Sequence, residues 1–193
     1  AADGDMLPSS RAVRPNITTE DGIHETGSWS AYMKGSVVLA MVERYIGEER
    51  FRAAVQAYLL KHSHGNATMS DFADALQAAA PETAVRDVLE TYVTAPGIPL
   101  VDMKVSCDDK TKKGRIDYEV RPLRVTGLDY PVGDPPSWRV PVCPRLAGST
   151  GSLCATTDAT KRSVKLDYCP KWIHPDEGEI GYYRWKLDDA SWR

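Results

Sequence analysis

Side chains able to do hydrolytic or metal chemistry are few in this chain, and their spacing does not suit it. The four histidines are His24, His62, His64 and His174. His24 opens "IHETG", the first half of the zinc pattern H-E-x-x-H, in which two imidazoles one helical turn apart share a face and the glutamate serves as base. The second histidine is absent, so His24 and Glu25 read as an exposed loop. His62 and His64 lie in "KHSHG" at a predicted helix end, where imidazoles satisfy the last carbonyls and suit the helix dipole. His174, in "WIHPDEGE", has acidic neighbours and no second ligand in view. No G-x-S-x-G, phosphate-binding glycine loop or cysteine–histidine motif is present. What remains is Tyr32 in "GSWSAYMKGS", a phenol two residues before Lys34-Gly35 and just ahead of an apolar helix. Taken alone it reads as an interfacial aromatic with its hydroxyl at the surface.

The elements that must position these groups change character near residue 95. Before it the apolar period is that of a helix. "SAYMKGSVVLAMVERYIG" places Val38, Met41, Val42 and Tyr45 on one stripe with Gly47 as a stop, and "EERFRAAVQAYLLKHS" repeats the pattern with Phe51, Val55, Tyr58 and Leu59. In "TMSDFADALQAAA", Thr68 and Asp71 predict a capping box and Pro81 an end; "TAVRDVLETYV" offers Val85, Val88, Leu89 and Tyr92. "TAPGIPL", residues 94–100, breaks the helical period. Beyond it the period is two: Val101, Met103, Val105 and Cys107 alternate with polar residues, "DDKTKKG" turns, and Ile116, Tyr118 and Val120 alternate again. Short runs at 137–143, 163–168 and 180–187 complete five or six strands, which predicts a small antiparallel β-sandwich over 96–193 after a helical part over 1–95, an α+β architecture. Trp172, Tyr182 and Tyr183 read as its core and as contacts to the helices.

Composition excludes several classes. The 193 residues are 42% hydrophobic and 26% charged with a net charge of −3, which is ordinary for a globular protein and offers no basic stripe for nucleic acid. Residues 1–95 hold 8 Lys/Arg and 13 Asp/Glu, so the helical part carries the acidity. No window approaches the roughly 18 apolar residues of a membrane span, and "AADGDMLPSS" has neither the charged start nor the apolar run of a signal peptide. Cys107, Cys143, Cys154 and Cys169 all lie in the strand-rich part without a C-x-x-C pair. They read as two disulfides in an oxidising, extracytoplasmic compartment, with Cys143 and Cys154 able to staple one loop, or as four buried thiols. Asn16-Ile-Thr and Asn66-Ala-Thr match the glycosylation sequon, a pattern short enough to arise by chance.

Five stretches occur in an order that carries more than any one of them: "DMLPSSRAV", then "AYMKGSVVLAMVERYIGEERFRAAVQAYLLKHSHGNATMSDFADAL", then "PGIPLV", "WRVPV" and "PKWIHPDEGEIGYYRWKL". Together they resemble the zinc aminopeptidases of the aminopeptidase N type, from about residue 5 to the end. The resemblance implies the helical C-terminal portion of a thermolysin-like (gluzincin) catalytic domain followed by the family's β-sandwich. It also implies a peptide substrate and zinc as cofactor, held by H-E-x-x-H and a later glutamate. Neither that motif nor the family's amine-binding G-x-M-E-N is present, so the ligands are expected on the missing N-terminal half of the catalytic domain, upstream or on another chain. The tyrosine of the family's Y-x-K-G motif aligns with Tyr32. The resemblance thus makes Tyr32 the one catalytic residue here, donating a hydrogen bond to the scissile carbonyl oxygen as it becomes an anion. Lys34 and Gly35 are expected to serve packing, the lysine by pairing with an acid and the glycine by admitting a close neighbour.

Three readings follow. As a portion of a zinc metallo-aminopeptidase the chain would be inactive alone and would expose an apolar helix face for the absent half. As a non-catalytic helical-plus-sandwich module binding proteins or peptides it would show no large apolar patch. As a complete metal enzyme it would need its four histidines to hold zinc.

Overall fold

An inward apolar stripe builds the first long helix. In the computed structural model, which describes residues 2–18, 20, 29–131, 135–149, 153–157 and 162–191, a short helix α1 (Ala2–Asp5) precedes α2 (Trp29–Ile46). The inner face of α2 carries Val38, Met41, Val42 and Ile46, all buried; burying each such side chain contributes about 1.5–3 kcal/mol. Lys34 continues the same stripe and is equally buried. Gly47, at φ 92, stops the helix where a side chain would be strained.

Helix α3 (Glu48–Lys61) departs from the predicted stripe. Ala54 is its one fully buried residue, with Phe51, Val55 and Tyr58 half-buried, while Leu59 is 61% and Leu60 79% exposed. The Tyr58 ring packs edge-on against Phe72 at 5.1 Å. That contact sets the rotation of α3 and leaves Leu59, about 100° further round, facing outward. Helix α4 (Met69–Ala79) starts with the predicted capping box: Asp71 N–H donates to Thr68 Oγ1 and Thr68 N–H donates to Asp71 Oδ2. Helix α5 (Val85–Thr94) buries Val85, Val88, Leu89, Tyr92 and Val93. It packs on α2 and α4, and α3 packs on α2 and α4.

The alternating segments form β1 (Pro99–Cys107) and β2 (Gly114–Pro122), a hairpin pairing Val101 with Val120, Met103 with Tyr118 and Val105 with Ile116. Six shorter strands follow: β3 (Val140–Val142), β4 (Arg145–Leu146), β5 (Ala155–Thr157), β6 (Arg162–Leu166), β7 (Ile173–His174) and β8 (Arg184–Leu187). The largest sheet runs β6-β2-β1-β8, with β3-β5 and β4-β7 as two-stranded ribbons. The fold is α+β with mixed sheets. β8 pairs with β1 in parallel, against the all-antiparallel expectation, because the long excursion between β2 and β8 supplies the crossover that a parallel pair requires. Cys107–Cys169 and Cys143–Cys154 are both bonded and no cysteine is free, which decides against the reduced-thiol reading.

One apolar core runs through both parts, from Val38 and Leu76 to Val101, Ile116 and Leu187. Tyr182 and Tyr183 join it as expected, but Trp172 is 46% exposed, whereas Trp138, from "WRVPV", is buried. Gly181 makes room for this packing: a Cβ there would fall 2.1 Å from the Tyr183 ring. Among the described residues no helix is long and apolar enough to cross a membrane.

Candidate functional site

Tyr32 stands in the first turn of α2 and is 73% exposed. Among the described residues nothing hydrogen-bonds its hydroxyl. Met33 and, two turns along, Leu39 continue the outer face, each 36% exposed, and Leu59 and Leu60 of α3 add further outward apolar surface. At Gly35 no described atom lies within 4 Å of where its Cβ would be.

Two residues on, the environment reverses. Lys34 Nζ donates to Asp5 Oδ2 at 2.9 Å, to the Gly97 carbonyl at 2.9 Å and to the Ala95 carbonyl at 3.2 Å. An ammonium has three hydrogens, and all three are used. Asp5, itself buried, also accepts from the Tyr182 hydroxyl at 2.8 Å and from Ser10 Oγ at 3.1 Å; Ser10 Oγ accepts from Gly97 N–H at 2.8 Å. The Lys34 ammonium lies 5.7 Å from the Tyr182 ring centroid, a cation–π distance. Desolvation pulls the Lys34 ammonium below its usual basicity, and the hydrogen bond and negative charge of Asp5 oppose that pull. Burial, with the Asp5 carboxylate, pushes the Tyr182 phenol well up, so it stays a neutral donor. Gly97, at φ 90, turns its carbonyl towards Lys34 in a conformation that L side chains avoid.

The described histidines, His62, His64 and His174, are not brought together. His24 and Glu25 lie outside the described residues. His62 Nδ1 sits 3.3 Å from the Asn66 carbonyl, and its Nε2 is 3.9 Å from Asp71, beyond hydrogen-bond reach. His64 caps a turn at φ 58, and His174 stacks edge-on against Trp185 at 6.1 Å. Among the described residues no group of three or more His, Cys, Asp or Glu is arranged to hold a metal ion, so these side chains do not fit a zinc site. A second buried acid, Asp176, takes the Gly181 N–H at 3.0 Å and is raised in pKa chiefly by desolvation.

Sequence reading anticipated an acid for Lys34 without identifying Asp5, Ser10 or Tyr182. The signal was present in "DMLPSS" and "GYYR", two stretches of the resemblance whose polar residues had no assigned task. Buried partners separated by 29 and 148 residues from Lys34 leave no local periodicity to read.

Comparison with known proteins bears on this arrangement. Residues 1–92 match the Peptidase family M1 domain. The chain is 34% identical over 189 residues to glutamyl aminopeptidase of Bos taurus, 29% over 195 residues to that of Homo sapiens and 30% over 187 residues to probable aminopeptidase 2 of Sulfurisphaera tokodaii. In each case 97% of the chain is covered, against 19%, 19% and 22% of the relative. The chain thus spans about a fifth of the length of the curated relatives it matches.

Proposed function

This chain belongs to the M1 peptidase family, and from that premise we propose that it forms part of a zinc-dependent aminopeptidase removing N-terminal residues from peptides. In this reading residues 1–95 are the helical C-terminal portion of a thermolysin-like catalytic domain and 96–193 a β-sandwich. Zinc and its ligands belong to a region outside these 193 residues. The two disulfides favour an oxidising, extracytoplasmic setting.

Tyr32 is the residue of this chain that acts on substrate. A neutral phenol aimed where a carbonyl oxygen gains negative charge stabilises the transition state more than the ground state, and loss of one such donor costs about 10²–10³ in rate. The observation that carries the reading is a 73% exposed tyrosine on a helix turn whose next inward residue, Lys34, is 2% exposed. An exposed hydroxyl held on a fixed base is what an oxyanion donor needs. The outward Met33, Leu39, Leu59 and Leu60 supply the apolar face on which the rest of the catalytic domain would pack.

The test is hydrolysis of an aminoacyl-amide by the full encoded polypeptide carrying these residues, with the zinc-binding region supplied in trans if it is encoded separately. The 193-residue chain alone is expected to be inactive. Tyr32→Phe is expected to lower kcat by about 10²–10³, and a variant at full rate would remove Tyr32 from the mechanism.

A further inference from the structure

We propose that Lys34 is a positioning residue for Tyr32, and that the strand-rich part reaches the same tyrosine through Tyr182 and Asp5. The inference rests on the reading of Tyr32 as oxyanion donor and adds what sets its place.

Four separate stretches of chain meet at one buried ammonium: Asp5 and Ser10 near the start, Lys34 in α2, the Ala95 and Gly97 carbonyls, and Tyr182 before β8. A buried ion pair is a poor way to gain stability, since well-packed apolar residues of similar volume serve as well or better. What it adds is direction. Three donor bonds at 2.9–3.2 Å fix both the rotation and the height of α2 at Lys34, and Tyr32 is rigidly linked to it two residues earlier in the same helix. Among the described residues no group on the outer face bonds the Tyr32 hydroxyl, while the inner side is held at Lys34.

Tyr182 extends the hold into the strand-rich part. Its hydroxyl hydrogen goes to the same Asp5 oxygen, Oδ2, that receives Lys34, and its ring lies near the ammonium. Loss of that hydroxyl frees Asp5 to rotate towards Ser10 and slackens the Lys34 contact. A displacement of about 1 Å in a reacting group can cost about 10²-fold in rate, so a weakened anchor should appear in kcat.

The experiment uses the full active polypeptide on an aminoacyl-amide, with Lys34→Met, Tyr182→Phe and each combined with Tyr32→Phe. Lys34→Met is expected to lower kcat about tenfold or more and Tyr182→Phe about threefold, with KM unchanged. In the Tyr32→Phe background both effects should vanish, because a positioning residue has nothing left to position. Persistence of either loss in that background, or a rise in KM at unchanged kcat, would overturn the proposal. If Lys34→Met does not fold, Tyr182→Phe, which removes a single hydroxyl, decides the matter. Full activity of Tyr32→Phe refutes the oxyanion reading and this inference together. Loss in Tyr32→Phe beside full activity of Lys34→Met and Tyr182→Phe refutes this inference alone.

Discussion

The helical and strand-rich parts solve the same problem with different means. Helices α2, α4 and α5 present stripes of wholly buried side chains, such as Val38, Val42, Leu76, Val85 and Val88, and contain no cysteine. Beyond the β1–β2 hairpin the strands are two to five residues long, too short to hold themselves together. Both disulfides serve this part, one tying Cys107 at the end of β1 to Cys169 and one stapling Cys143 to Cys154. The lesson is that a 3.6-residue period lets each helix bury its own face, whereas short irregular strands rely on crosslinks and on borrowed core. The Lys34–Asp5–Tyr182 cluster is where the two strategies meet.

That contrast can be broken at its junction first. Lys34→Ala strands a buried carboxylate, and removing one partner of a buried pair costs about 3–5 kcal/mol. Chemical unfolding of this variant should show both parts losing stability in one transition; a wild-type midpoint would mean that Asp5 finds solvent. Next in size is Cys107→Ser with Cys169→Ser. The 62-residue separation lies in the range where a crosslink contributes about 2–4 kcal/mol. Amide hydrogen exchange is expected to quicken in β1, β2 and β6 more than in α4, and equal acceleration everywhere would erase the contrast.

Smaller effects sharpen it within the helices. Thr68→Ala removes the cap of α4 and should cost about 1 kcal/mol by thermal melt. The same change has a pH signature. Hydrogen bonds from Thr68 hold the Asp71 carboxyl below its ordinary pKa, so its contribution is present above the unfolded value and lost as pH falls through the lowered folded value. An NMR titration of Asp71 in Thr68→Ala should therefore shift upward, and an unmoved midpoint would mean the box is not formed in solution. Smallest is Leu60→Ser, at 79% exposure, expected within about 0.5 kcal/mol of wild type for this chain by itself. In the full polypeptide a larger loss of stability would identify α3's outer surface as covered.

Much of the molecule was legible from local pattern. The capping box at Thr68 and Asp71, the buried set Val85, Val88, Leu89 and Tyr92 and the hairpin turn at 108–113 follow from residue spacing within one element or one loop, and that spacing left the Cys143–Cys154 staple open as one of two readings. Leu59 and Trp172 were misread for a common reason: apolarity gives a residue's preference for burial, but a neighbour such as Phe72 decides which of two adjacent apolar side chains turns inward.

The sequence alone determined the period of each element, the split between helical and strand-rich parts, and through ordered motifs the expectation that Tyr32 carries chemistry. Only the tertiary structure decided that Lys34 points inward, that Asp5, 29 residues earlier, neutralises it, and that Tyr182 completes the contact from the far end of the chain. The reason is physical. Helix and strand propensities depend on residues a few positions apart, while a buried charge is tolerable only where distant segments bring its partners within about 3 Å.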